Sequence, residues 1–203
     1  MGHSQGGQAA WAAAERQVQR PVDGYLGTIA GSPLNDAEAQ LKLVPSLAVL
    51  IANYLAAGLD AAFPDFSPSD FLTEAGVRCL GLFRKLQGCN NVGTVLLAQP
   101  DAIRPDFLNS SQFRSFNNLA RTGGKPVAGP LLVLQGTMDS LVPAELPSKA
   151  VDETCSRYPD SQLEYVLMNG TDHVATLPFR PQSAYQANGN YYLEYANQPY
   201  QVA

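Results

Sequence analysis

The chain has 203 residues, of which 45% are hydrophobic and 15% are charged, and its formal net charge at pH 7 is −5. A chain of this length and apolar content can bury a core as one large domain or as one domain with an insertion, which excludes a disordered tail or a coiled coil. Because the charged fraction lies below the roughly 25% of average soluble domains and contains no basic run, we expect no nucleic-acid partner.

The first predicted element is a helix directly behind a glycine-rich motif. The sequence GHSQGG occupies residues 2–7, and the Ala-rich stretch that follows at residues 8–19 contains no helix breaker before Pro21. Ser4 therefore lies where a helix begins. Residues 25–30 then predict a short buried strand, because an apolar run ends there at Gly31-Ser32-Pro33. A helix followed by such a strand is half of an α/β repeat.

The next part of the chain, residues 35–125, predicts an inserted helical unit, because apolar helical segments alternate with Pro, Asn and Ser and no alternating strand pattern occurs. Residues 43–59 are its most apolar stretch, yet they are shorter than the roughly 20 residues that cross a membrane. We predict a buried or cap helix there and no transmembrane segment. Ser67 is the expected N-cap of another helix, with Pro68 at its first position and Gly88 as its stop.

Seven of the eight phenylalanines lie in this insertion. Ordinary core packing explains any single ring, whereas their joint concentration favours an apolar lining that could receive a substrate. On this basis the substrate-binding candidates are Phe63, Phe66 and Phe71.

Regular α/β texture returns after Pro130. Residues 131–134 predict a strand covered on both faces, residues 144–157 a helix and residues 162–168 a second strand. A polar loop with Asp139 follows the first of these strands, and a loop with His173 follows the second. Residues 183–203 fit either a terminal helix or a loosely ordered tail, and both remain open.

One group of residues has the chemistry of a serine hydrolase. Ser4 lies in a G-x-S-x-G pattern, whose glycines permit the sharp strand-to-helix turn that exposes a nucleophile, and the N–H of Gln5 at the helix start can donate to an oxyanion. The alternative is a purely structural role, in which Ser4 is only a helix N-cap. His173 is the candidate base, because His3 is the neighbour of Ser4 in the turn and more plausibly orients a loop or lines the site for substrate. Asp139 is the candidate acid, since Asp172 is too near His173 in sequence to reach its ring.

These motifs, GHSQGG, LLVLQGTMDSLVP and GTDHVATL, resemble the second half of an α/β-hydrolase, and the long helical insertion resembles the cap of fungal secretory lipases such as Candida antarctica lipase A. The resemblance implies a partial α/β-hydrolase fold with a hydrolase core at 1–34, a helical cap or lid at 35–125 and the rest of the core at 126–203. It also implies that Ser4, Asp139 and His173 are nucleophile, acid and base.

The function implied by this resemblance is a serine ester hydrolase of the lipase or carboxylesterase type, acting on a small ester or lipid, with contact to a lipid interface through the cap. A serine aminopeptidase of the same fold and an inactive fragment are the alternatives. Such hydrolases have a preceding half that supplies the first strands and a second oxyanion donor. We therefore expect an N-terminally truncated form that is poorly stable and nearly inactive alone, and a full-length parent that is extracellular.

No metal site or cofactor is predicted, because the chain has two histidines and neither a CxxC nor an HExxH motif. Cys79 and Cys89 are close enough in sequence for a local disulfide in an oxidising compartment, which would leave Cys155 unpaired. Three free thiols are the alternative.

Overall fold

The computed structural model describes residues 1–87 and 99–176 with their side chains, and the strands 181–187 and 190–195 by their backbone. The chain forms two compact units. The core unit consists of Met1–Asp36 together with Arg121–Ala203, and the inserted unit is Ala37–Ala120. The boundaries of the inserted unit lie slightly inside the predicted insertion at residues 35–125. Asn35 and Thr122 are hydrogen-bonded to each other and belong to the core unit.

The core unit contains a parallel sheet with the strand order β1-β2-β3-β4. Its strands are β1 (Gly2–His3), β2 (Thr28–Gly31), β3 (Leu131–Gly136) and β4 (Leu163–Met168), and its helices are α1 (Gln5–Gln19), which packs on β1 and β2, and α7 (Glu145–Arg157), which packs on β4. All four strands are parallel, so the loops that leave their carboxyl ends share one edge of the sheet. The α/β class predicted from the sequence, with a parallel sheet, is confirmed.

The two faces of β3 explain why its first four residues, 131–134, form an uninterrupted apolar run. All six of its residues are buried. Leu131 and Val133 pack with Trp11 of α1, whereas Leu132 and Leu134 pack with Met168 on the other face. A strand that is buried on both faces needs no alternation of polar and apolar residues. The continuous apolar run from which the strand was predicted reflects this double burial.

The core unit has one strand more than expected, and it contains a hairpin in the C-terminal segment, for which the sequence allowed two alternatives. The sheet has four strands where about three were expected, because Gly2–His3 pairs with Ala30 and Gly31 as a two-residue strand. The open C-terminal segment contains the antiparallel hairpin of β5 (Pro181–Ala187) and β6 (Asn190–Tyr195).

The inserted unit is helical in its described residues. Its helices are α2 (Ala37–Leu43), α3 (Pro45–Ala62), α4 (Pro68–Phe71), α5 (Glu74–Leu86) and α6 (Ser111–Ala120), with a 3-10 turn at Phe107–Asn109. Helix α3 is long and apolar enough to cross a membrane by length and composition alone, and it packs on α2 and α5. Core helices of soluble proteins pass the same test, so this single helix does not indicate a transmembrane segment.

The helix predicted from Ser67 to Gly88 is divided in two. Leu72 is extended and forms an isolated antiparallel bridge with Ile103, which ends α4 after four residues. Thr73 then starts α5, because its Oγ1 accepts a hydrogen bond from the N–H of Gly76. Gln87 ends α5 in the left-handed region, and Gly88 lies outside the described residues.

Candidate active site

Ser4 occupies a tight turn between β1 and α1. Its backbone angles are φ 57° and ψ −120°, a region that non-glycine residues rarely adopt. Its N–H donates to the Gly31 carbonyl at 2.8 Å, and its own carbonyl accepts from the Gln8 N–H at 3.0 Å. A strained backbone that is held by hydrogen bonds on both sides is typical of a functional residue. The turn places Ser4 beyond the end of β1, at the N-terminus of α1.

The glycines of the motif have different tasks. A Cβ on Gly2 would collide with the carbonyl group of Gly6, so the chain can double back only because Gly2 has no side chain. A Cβ on Gly7 would lie 2.6 Å from the Gly31 carbonyl oxygen, whereas a Cβ on Gly6 would meet nothing within 4 Å. The close packing of α1 against β2 therefore depends on Gly7, which the G-x-S-x-G pattern does not include.

Asp139 lies in the loop after β3, with its side chain fully buried. Its Oδ1 accepts hydrogen bonds from the backbone N–H groups of Leu141 at 3.0 Å and Val142 at 2.8 Å. The turn that follows the acid thus fixes one of its two oxygens and leaves Oδ2 for other donors.

His173 binds this second oxygen. Its Nδ1–H donates to Asp139 Oδ2 at 2.8 Å, and the histidine side chain is 12% exposed. The two loops reach each other because the Met138 N–H donates to the Thr171 carbonyl at 3.0 Å. Gly136 permits this approach, since a Cβ there would collide with the Thr171 carbonyl oxygen. The predicted acid and base are therefore brought together, and the pairing leaves Nε2 of His173 for proton transfer.

Burial by itself raises the pKa of the Asp139 carboxyl. Hydrogen bonds from His173, the Val142 N–H and Ser32, together with the positive charge that His173 can carry, outweigh this effect and hold the pKa below its ordinary value of 3.8. Asp139 is therefore ionised at neutral pH, as an acid that orients a histidine and stabilises its protonated form must be.

His3 fixes the position of His173 through the backbone. Its Nε2–H donates to the His173 carbonyl at 2.8 Å, and the centroids of the two rings are 4.7 Å apart. The same carbonyl accepts from Thr176 Oγ1 at 2.9 Å. Of the two roles that the sequence left open for His3, these contacts favour orientation of a loop, and its predicted substrate contact stays a prediction.

Gln5 is exposed and is the first residue of α1. Because the first N–H groups of a helix have no partner within the helix, the Gln5 N–H can bind a group outside it. The Ser4 hydroxyl and the His173 ring are not hydrogen-bonded to each other in the described structure. What joins their two segments is the contact of His3 with His173.

The three phenylalanine candidates all lie in the inserted unit. Phe71 is fully buried and makes edge-on contact with Phe107, with ring centroids 5.2 Å apart. Phe66 is buried and Phe63 is partly exposed. Phe71 thus belongs to the core of this unit, and the substrate-binding role of all three remains a prediction.

Three polar residues near the acid and base were missed by the sequence analysis. They are buried at the ends of strands or in the histidine loop: Ser32, Gln135 and Thr176. Ser32 has φ 43° and its hydroxyl contacts Thr176 Oγ1 at 3.2 Å. The available signal was a polar residue directly after an apolar strand, as in LLVLQ and TIAGS, which marks the edge where ligands bind in parallel sheets.

Within residues 1–87 and 99–176, no three His, Cys, Asp or Glu side chains cluster as metal ligands would. Cys155 carries an exposed free thiol. Cys89 lies outside the described residues, and with it the predicted Cys79–Cys89 disulfide.

No protein-family model and no curated protein sequence matches the chain. Solved structures do. The cell wall degrading esterase LipA of Xanthomonas oryzae superposes with a TM-score of 0.70 at 15% identity, over 86% of this chain and 52% of the esterase. Candida antarctica lipase A superposes with a TM-score of 0.65 at 18% identity, over 85% of this chain and 43% of the lipase.

These similarities show the fold. The chain has part of the α/β-hydrolase fold that lipases and esterases share. This part contains the turn with Ser4 and the loops with Asp139 and His173. The chain spans about half the length of the solved structures that it matches.

Proposed function

We propose that the chain is the catalytic part of a serine ester hydrolase of the lipase or carboxylesterase type. The observation that supports this most is the hydrogen bond of His173 Nδ1 to Asp139 Oδ2 in the unit that also holds Ser4 in a strained strand-to-helix turn. The esterase and lipase structures with the same fold support an ester as the substrate. We also propose an extracellular location, supported by a neighbour that degrades plant cell wall.

The proposed reaction has two stages. His173 Nε2 takes the proton of the Ser4 hydroxyl as Oγ attacks the ester carbonyl, and then donates that proton to the leaving alcohol. Water then cleaves the resulting Ser4 acyl ester: His173 takes a proton from the attacking water and returns it to Ser4 Oγ as the carboxylic acid leaves. The negative charge on the carbonyl oxygen needs donors aimed at it, and the N–H of Gln5 at the start of α1 supplies one. Asp139 stays ionised throughout and stabilises the imidazolium.

A fluorophosphonate probe tests the nucleophile directly. Such probes form a covalent bond to an activated serine, so we expect one adduct on Ser4 in the folded chain and none in the Ser4→Ala variant. A matched control is Ser140→Ala, which removes an exposed hydroxyl in the acid loop and should keep the label. A folded wild-type protein that takes no adduct would favour an inactive fragment.

A substrate panel then separates ester from amide hydrolysis. We expect the turnover that the chain retains to be of acyl esters and not of aminoacyl amides. Preferred cleavage of aminoacyl substrates would replace the proposed function with that of a serine aminopeptidase.

A further inference from the structure

Gln135 is a buried polar residue behind the acid that the mechanism above does not use. It precedes the last residue of β3 and is 0% exposed. Its Nε2 donates to Asp139 Oδ2 at 3.1 Å and to the Val142 carbonyl at 2.9 Å, with a longer contact to the Gly136 carbonyl at 3.3 Å. One side-chain amide therefore binds both the catalytic acid and the turn that carries it.

The side-chain amide of Gln135 can face Asp139 and Val142 in only one of its two orientations. Asp139 Oδ2 and the Val142 carbonyl are both acceptors, so only the NH₂ end can lie against them. The other end, Oε1, is buried and has no hydrogen-bond partner in the described structure. A buried acceptor without a partner destabilises the fold. Its presence here is accounted for if the donor end is needed at the acid.

The donors divide the Asp139 carboxylate between its two oxygens. Oδ1 accepts from the N–H groups of Leu141 and Val142, Oδ2 accepts from Gln135 and His173, and Ser32 is a further donor to the carboxylate. A carboxylate oxygen has two lone pairs. With Gln135 on one lone pair of Oδ2, the other is directed to Nδ1 of His173.

From this geometry we propose that Gln135 is a positioning residue that directs Asp139 Oδ2 to His173 and so fixes the tautomer of the base. The proposal rests on the proposed function for its catalytic meaning, whereas its effect on the acid–base pair can be measured without turnover. Because Gln135 acts through Asp139 and touches no substrate, its loss should lower kcat and leave KM unchanged.

The test uses Gln135→Met, which keeps the length of the side chain but removes the donor. Gln40→Met is the matched control, because Gln40 is also a buried glutamine, 1% exposed, and lies in the inserted unit. The chain has only two histidines, so NMR can resolve and follow the titration of His173. The other titratable groups beside His173 are His3, Asp139 and Asp172.

We expect His173 to take up its proton at higher pH in Gln135→Met, because a carboxylate that has lost a donor holds more charge against the imidazolium. Activity should fall about tenfold to a hundredfold in kcat, the equivalent of one hydrogen bond to a buried charge. Gln40→Met should match the wild type in both measurements. Gln135→Leu serves as a second variant, which also lacks the donor and should shift the titration in the same direction.

A His173 titration in folded Gln135→Met or Gln135→Leu that is unchanged, or that moves to lower pH, overturns the proposal. Failure of the proposed function has a different signature, since it would appear as a wild-type chain without a Ser4 adduct even though the histidine titration still responds to Gln135.

Discussion

At the scale of single residues, the Asp139 carboxylate connects the proposed catalytic site to the stability of the fold. It is fully buried and accepts from two backbone N–H groups, Gln135 and His173. Burial raises its pKa, but hydrogen bonds from His173, the Val142 N–H and Ser32, together with the charge that His173 can carry, hold the folded pKa below the ordinary value of 3.8. The folded state therefore binds the proton of Asp139 more weakly than the unfolded chain does.

This difference predicts how Asp139→Asn changes acid stability. A lowered folded pKa adds stability that is fully present above about pH 4 and is lost as the pH falls through the folded pKa. We expect the wild type to lose stability between neutral pH and pH 3 more steeply than Asp139→Asn does, as measured by urea unfolding across this range. Parallel curves for the two proteins would contradict the prediction.

His3 permits a second prediction, this time on catalysis. Its Nε2–H donates to the His173 carbonyl, which also accepts from Thr176. Because Thr176 still binds that carbonyl in His3→Phe, we expect kcat for ester hydrolysis to fall by about tenfold or less, the equivalent of one neutral hydrogen bond.

His3→Gln is the control for this effect, because its amide can again donate and should restore most of the activity. Equal losses in His3→Phe and His3→Gln would show that the ring itself, and not its donor, is what matters.

At the scale of elements, Glu15 ties helix α1 to the segment that leads into β3. It is 9% exposed, accepts from the Gly123 N–H at 2.7 Å and pairs with Lys125 at 3.1 Å. Burial raises its pKa from the ordinary value of 4.5, and the Gly123 hydrogen bond and Lys125 only partly offset this. The charge of Glu15 is thus tolerated by the fold, not favoured.

We therefore expect Glu15→Gln to gain stability relative to the wild type as the pH rises. A raised folded pKa gives stability that is fully present below the unfolded pKa of about 4.5 and is lost as the pH rises through the folded pKa. Gln keeps an oxygen for the Gly123 N–H but does not ionise. Urea unfolding between pH 4 and pH 8 measures the difference, with Glu38→Gln on an exposed ion pair as the control. A constant difference across this range would refute the prediction.

The elements also show what the sequence could reveal. The strand at Leu131–Gly136 and the loops with Asp139 and His173 followed from local patterns, because a doubly buried strand is continuously apolar and each loop begins where its strand ends. The break at Leu72 and the contact of Gln135 with Asp139 could not be predicted in this way. The first depends on a bridge to Ile103, 31 positions further along the chain, and the second on the path of a turn that only the folded backbone defines.

At the scale of the whole molecule, the insertion leaves and re-enters the core unit at one place. Asn35 Nδ2 donates to Thr122 Oγ1 at 2.8 Å, and the Thr122 N–H donates to the Asn35 carbonyl at 3.1 Å. Next to this pair, Arg121 Nε lies 3.5 Å from Asp36 Oδ2, and Arg121 also binds Glu153 of α7 at 2.9 Å. The two core segments that flank the insertion are thus held together by contacts between residues of the core unit alone.

Because of these contacts, we expect the core unit to keep its fold when Ala37–Ala120 is replaced by a short Gly-Ser linker between Asp36 and Arg121. The closed ends need only a few residues to join them, and a shorter loop costs less entropy to close. The measurements are the melting transition and the NMR signal of the His173 Nδ1 proton in its bond to Asp139. Arg121→Ala in the deletion variant should weaken the melt, since it removes the ion pairs to Asp36 and Glu153. A deletion variant without a cooperative melt would show that the core unit depends on the insertion for its fold.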